Sequence, residues 1–126
     1  MKSFAIILFL IGIASINTQA QDEIIGKWKL EQVIVDGVDV SQEHNPFNER
    51  WIEFLKNGSF QSDGRPFGKN SGTWSEEKTE NIIHLKSKVE DDNSDWVYEL
   101  DKDKIRWTGF GDRKKQNTVL MHTKIE

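Results

Sequence analysis

Ile25-Gly26-Lys27-Trp28-Lys29-Leu30-Glu31-Gln32-Val33-Ile34-Val35, stopped by Asp36-Gly37, is the stretch on which the fold turns. Trp28 and Leu30 alternate with Lys27, Lys29 and Glu31, the period of a half-buried β-strand. The phase slips after Glu31, because Val33 and Val35 follow with Ile34 between them. A bulge near Gln32 accounts for the slip. A strand with one apolar face needs partners, and the chain downstream supplies them.

Arg50-Trp51-Ile52-Glu53-Phe54-Leu55 and Ser59-Phe60-Gln61-Ser62 flank Lys56-Asn57-Gly58. Asn-Gly between two strand-like runs predicts a tight hairpin with both turn residues at φ > 0. Further runs are Ser71-Gly72-Thr73-Trp74-Ser75, Ile82-Ile83-His84-Leu85-Lys86, Trp96-Val97-Tyr98-Glu99-Leu100, Ile105-Arg106-Trp107-Thr108-Gly109-Phe110 and Thr118-Val119-Leu120-Met121-His122-Thr123-Lys124-Ile125. Turn chemistry separates them at intervals of about ten residues. The longest connection, residues 39–49, contains Asn45-Pro46-Phe47 and has room for a short helical turn. No mature segment has helical periodicity. Eight strands joined in sequence predict an all-β fold, an eight-stranded antiparallel up-and-down β-barrel, because closure removes exposed sheet edges. A β-sandwich is the competing arrangement.

Upstream, Lys2 precedes an uncharged run from Ser3 to Ala14, and Thr18 and Ala20 are small residues at the −3 and −1 positions of a cleavage site. Residues 1–20 therefore read as a signal peptide cut before Gln21, leaving residues 21–126 as one domain. The apolar run is shorter than the roughly 20 residues that span a bilayer. The whole chain carries a formal charge of −4 and no cysteine. Disulfides, thiolate metal sites and a lipid-anchored cysteine are excluded, and no membrane anchor is expected. An acidic chain whose basic clusters, such as Arg113-Lys114-Lys115, are short is not built to bind nucleic acid.

Gly26-Lys27-Trp28 at the start of the first strand resembles the Gly-x-Trp of the lipocalins. The order Phe54-Leu55-Lys56-Asn57-Gly58-Ser59-Phe60, then Gly72-Thr73-Trp74, is similar to short bacterial lipocalin-like domains. The resemblance spans residues 24–125. It implies that Trp28 plugs the closed end of a calycin-type barrel, with Gly26 letting the chain pass close by. It also implies a basic residue on the last strand above that tryptophan, for which Lys124 and Arg106 are the candidates. The long chain, C-terminal helix and disulfide of larger lipocalins are missing here.

The expected inward set is Trp28, Leu30, Ile52, Phe54, Phe60, Trp74, Ile83, Leu85, Tyr98, Leu100, Ile105, Trp107 and Leu120. Of these, Trp28, Phe54, Phe60, Trp74, Leu85, Tyr98 and Trp107 are candidate ligand-binding residues. An eight-stranded interior either fills with side chains or holds one small ligand, and five tryptophans load it heavily. Two functions follow. One is carriage of a small hydrophobic or amphipathic ligand, with residues 39–49 and 63–70 as rim or lid. The other is a filled barrel that docks an exported protein or glycan through Trp51, Phe47 and Phe67. His44, His84 and His122 have no ligand spacing, and His84, between Ile83 and Leu85, is expected to face solvent. Asp91-Asp92-Asn93-Ser94-Asp95 lacks the spaced ligands and glycine of a calcium loop and reads as a solvated tip. Asn57-Gly58-Ser59 is a sequon that the hairpin explains. There is no nucleophile elbow, phosphate loop or metal run, so no enzyme, cofactor or metal is expected. Ligand identity and oligomeric state stay open.

Overall fold

The computed structural model describes residues 24–89, 93–111 and 115–126. Residues 1–20, read above as a leader, the acidic residues Asp91 and Asp92, and the basic residues Arg113 and Lys114 lie outside them. The elements are β1 (Gly26–Val35), β2 (Val38–Asp39), α1 (Ser41–His44), β3 (Trp51–Phe54), β4 (Ser59–Asp63), β5 (Asn70–Glu77), β6 (Ile82–Ser87), β7 (Ser94–Asp101), β8 (Lys104–Phe110) and β9 (Thr118–Lys124). From β3 to β9 each strand pairs antiparallel with the next, and β1 bridges β3 and β9 to close the ring. One ladder that closes on itself is a barrel, and a two-sheet sandwich is ruled out. β2 is a two-residue addition on the far half of β1.

β1 makes closure possible because it is long and bent. Its first half pairs with β3 from Gly26 opposite Phe54 to Lys29 opposite Trp51. From Trp28 to Val35 it pairs with β9, with a register shift between Leu30 and Gln32. That is the bulge expected from the phase slip, and it lets Trp28, Leu30 and Val33 all point inward, each at most 2% exposed. The short helical turn in the longest connection is α1. Asn45, just after it, is buried. Its Nδ2 donates to Leu30 O at 3.3 Å, while its Oδ1 accepts from the Glu49 and Arg50 amides at 3.2 Å. This one side chain fastens the loop to β1.

The Lys56-Asn57-Gly58 hairpin forms, but not with the expected turn. Only Gly58 has positive φ (88°), the Gly58 amide donates to Leu55 O at 3.1 Å, and the Leu55 amide donates to Ser59 O at 2.9 Å. This is a three-residue loop with glycine in the left-handed position of a bulge. Asn57 instead serves as an acceptor, taking the Ser59 amide at 3.0 Å.

At one end of the barrel the start of β1 passes close to the C-terminal residues. Gly26 has φ 139°, and a Cβ there would stand 2.4 Å from Glu126 O and 2.7 Å from Lys124 Cε. Gly26→Ala is expected to cost roughly 1–3 kcal/mol, from a φ that L residues avoid plus displacement of the C-terminal end. Urea unfolding measures it, and an unchanged midpoint would show that the termini do not need this close passage.

Candidate functional site

The barrel interior divides into a packed floor and a looser mouth. At the floor, Trp28 is fully buried and its Nε1 donates to Ile24 O at 2.9 Å. Lys124 Nζ lies 5.6 Å from the Trp28 ring centroid, whereas Arg106 is exposed. Lys124 thus occupies the place above the plug. Phe54 meets Trp74 at 5.5 Å and Trp107 at 5.7 Å, and Trp107 meets Tyr98 at 6.1 Å. Of the expected ligand-binding residues, Trp28, Phe54, Phe60, Tyr98 and Trp107 belong to this buried cluster, while Trp74 and Leu85 are half-buried against it. Ile24 and Trp96 join the cluster although neither was expected. Trp96 shares the alternation of Tyr98 and Leu100 and was legible. Ile24 precedes the first strand and carried no periodic signal.

Toward the mouth the same strand faces turn small and polar. Ser62 follows Phe60 on the inner face of β4, Ser87 follows Ile83 and Leu85 on β6, and Ser94 precedes Trp96 on β7. All three serines are half-buried. Ser87 Oγ donates to Asn70 Oδ1 at 2.7 Å, and Trp96 Nε1 donates to Ser94 Oγ at 2.8 Å. Ile52, Leu85 and Leu120 are likewise only partly buried and lie against the floor. Along the inner wall an apolar bottom thus gives way to hydroxyls, and this upper half of the barrel is the cup.

At the floor, on the side away from the mouth, polar groups also enter the interior. Glu76 lies two residues beyond Trp74 on β5 and accepts a short hydrogen bond from Tyr98 Oη through Oε2. Burial, followed by this carboxylate, pushes the Tyr98 hydroxyl well above its ordinary range. His122 is 7% exposed and stands edge-on to Trp107 with ring centroids 6.3 Å apart. Its pKa is pushed down to about 3, first by burial and then by the Arg50 charge. Among the described residues, Glu76 Oε1, Trp107 Nε1 and His122 Nδ1 are buried without a hydrogen-bond partner. Such atoms are rare, because leaving one unpaired costs about 1–3 kcal/mol. His122 alternates with Leu120, and Glu76 with Trp74, so the inward parity was present in the sequence. Their polarity hid it.

The two loops expected to form a rim meet side by side, where they leave the paired ends of β3 and β4 at Trp51 and Asp63. Arg65 Nη2 pairs with Glu49 Oε1 at 2.7 Å, and hydrogen bonds from Arg65 hold the Glu49 carboxyl down at about 2. The Arg65 guanidinium lies 3.8 Å from the Phe47 ring centroid and that of Arg50 lies 4.5 Å from Phe67. Arg50 Nη1 also donates to His44 O at 3.0 Å.

On the outer face, Ser75, His84 and Asp95 stand opposite one another across β5, β6 and β7. These are the residue types of a nucleophile triad. However, His84 Nδ1 is 2.6 Å from Asp95 Oδ1 and Nε2 is 2.8 Å from Glu77 Oε2. The two carboxylates raise the His84 pKa. A ring with both nitrogens engaged cannot take the Ser75 proton, and the row is a charged strut at the surface, as the outward reading of His84 anticipated. Around it lies a shallow hollow of about 410 Å³ that includes Thr73, Lys86 and Asn93. A second of about 620 Å³ runs past Trp51, Gln61 and Lys88. Among the described residues, no cluster of His, Asp and Glu is placed to hold a metal ion, and no helix is long and apolar enough to cross a membrane.

The sequence matches no family model and no curated protein. Its structure is similar to the crystal structure of a DUF4847 family protein from Bacteroides vulgatus, with a TM-score of 0.57 and 13% identity over 84% of this chain and 98% of that one. At that identity the likeness is one of fold, and it fits a calycin-like barrel.

Proposed function

We propose that this chain is an exported, lipocalin-like binding protein without catalytic activity, which takes one small amphipathic molecule into the mouth half of its barrel. The observation that carries this reading is the change of wall chemistry. Half-buried Ile52, Leu85 and Leu120 form an apolar bottom, and Ser62, Ser87 and Ser94 ring it with hydroxyls. Burying about 200 Å² of apolar ligand surface there is worth ~5 kcal/mol before the cost of association. From this term alone the affinity is weak, with Kd no tighter than about 0.2 mM. The ligand enters between residues 39–49 and 63–70, so the Arg65–Glu49 pair acts as a latch. Export rests on the leader pattern in residues 1–20, and the place of action is the periplasm or outside the cell.

Titration of tryptophan fluorescence with 8-anilinonaphthalene-1-sulfonate and medium-chain lipids, checked by native mass spectrometry, is expected to show saturable one-to-one binding. Ser87→Trp, which fills the cup from its wall, is expected to weaken binding at least tenfold with the fold intact by circular dichroism. A failure of every probe to saturate would sink carriage. It would favour the second reading, a filled barrel that docks an exported protein or glycan. Phe47 and Phe67, 54% and 64% exposed beside the mouth, support that alternative.

A further inference from the structure

The outer wall of the barrel carries a separate groove, built on the hollow beside Trp51. Trp51 on β3 pairs with Asp63 on β4, and Gln61, two residues before Asp63, pairs with Ser71 on β5. The Lys88 amide, just beyond β6, donates to Ser71 O at 2.9 Å. These residues and Lys69 line one groove of about 620 Å³, a volume within the range of small-ligand sites. From Trp51 to Lys88 the groove crosses three strand spacings, roughly 14 Å, which is the reach of a short oligosaccharide. Lys27 approaches the Trp51 ring from β1, with Nζ 4.2 Å from the centroid, and the groove leaves the ring on the β4 side. The cation therefore backs the indole and steadies it.

The lining suits a polyol with one apolar face. A half-buried indole offers a flat surface for the C–H face of a sugar ring. Beside it, Asp63 only accepts, Lys69 and Lys88 only donate, and the Gln61 amide does both. Asp63 engages Oδ1 with the Gly64 amide at 2.7 Å, which leaves Oδ2 for the ligand. Sugar hydroxyls both donate and accept, so a run of them meets groups of either kind along the groove. An extended peptide lacks that fit. β4 is hydrogen-bonded to β3 on one side and β5 on the other, so no free edge beneath the groove can take an added strand. We propose that this groove binds a short oligosaccharide, with one ring stacked on Trp51 and the following hydroxyls held by Asp63, Gln61 and Lys88. The site lies outside the barrel and does not depend on the cup.

Isothermal titration calorimetry with maltotriose, cellotriose, chitotriose, mannotriose and trigalacturonate tests this. At least one of these sugars is expected to bind saturably and one-to-one. Trp51→Ala is expected to weaken that sugar about tenfold or more, with the far-ultraviolet circular dichroism unchanged. Trp51→Phe keeps a ring and is expected to hold the affinity within about threefold of the native chain. Gln61→Ala, at an exposed position, is expected to weaken binding about threefold through loss of a hydrogen bond. Ser87→Trp, which fills the cup from inside, is expected to leave sugar binding unchanged, so groove and cup stand or fall separately. Saturable binding by none of the sugars would overturn the groove. Binding that neither Trp51→Ala nor Gln61→Ala weakens would put the sugar elsewhere on the protein and overturn it as well.

Discussion

Trp28→Ala is expected to lower the unfolding free energy by about 3–5 kcal/mol, the largest loss from any single truncation in this chain. The side chain is fully buried and belongs to the main core cluster. Its removal leaves a cavity at this end of the barrel, where β1 meets the C-terminal residues through backbone contacts such as Lys27 N to Glu126 O at 3.0 Å and Ile125 N to Lys27 O at 2.8 Å. It also removes the donor to Ile24 O and the ring beneath Lys124. A cation over an aromatic face contributes about 0.5–2 kcal/mol, and the carbonyl loses a net contribution of about 1 kcal/mol. Trp28→Phe separates the terms, because it keeps most of the volume and deletes the donor; about half the loss is expected. Urea denaturation followed by far-ultraviolet circular dichroism measures both. A loss below ~1.5 kcal/mol for the alanine variant would mean that the closed end is not held by this plug. Trp51→Ala serves as the contrast. Trp51 is half-buried on the outer face with Lys27 Nζ 4.2 Å from its ring centroid, and about 1 kcal/mol is expected there.

Acid is expected to destabilise the barrel through His122, beginning well above the carboxylate range. The folded pKa is about 3 against an ordinary value of 6.5. The unfolded chain therefore takes up a proton below about pH 6.5 that the folded chain refuses until about pH 3. Stability falls as pH falls across that window, by up to ~1.4 kcal/mol per pH unit. Between pH 7.5 and pH 5 the expected loss is roughly 2 kcal/mol. His84 acts in the opposite sense. Its pKa is raised, so its contribution is complete below about 6.5 and is lost as pH rises through the folded value. It is about 40% exposed, and solvent screening keeps its effect small. His122→Leu should flatten the stability profile between pH 7.5 and 5, and the difference between the two profiles isolates the buried histidine. A variant that retained the full acid slope would place the titration elsewhere. Below pH 4.5 the Glu49–Arg65 latch adds to the loss, because the lowered Glu49 pKa ties that ion pair to the ionised carboxyl.

Most of the barrel was legible because period-2 alternation is a local property. The faces of β1, β3, β4, β7 and β8 could be assigned residue by residue from which positions are apolar. Even the bulge in β1 showed as a break in phase. The hairpin at residues 56–58 shows the limit. Asn-Gly marked the turn correctly, but the turn type depends on how β3 and β4 twist past each other, and the structure uses one positive φ where two were expected. The site was harder to see. Reading hydrophobic residues as inward found the floor and passed over Ser62, Ser87, Ser94, Glu76 and His122, which share its parity and differ only in polarity.

By itself the sequence determined the all-β class and the number and order of the barrel strands, each of which rests on neighbours along the chain. Only the tertiary structure decided that Lys124 rather than Arg106 lies over Trp28, that Glu49 pairs with Arg65, and that, among the described residues, Trp107 Nε1 and His122 Nδ1 are buried without a hydrogen-bond partner. Those outcomes depend on which strands become neighbours when β1 meets β9. Closure brings together side chains far apart in sequence, and only after closure does a polar atom become buried and unpaired.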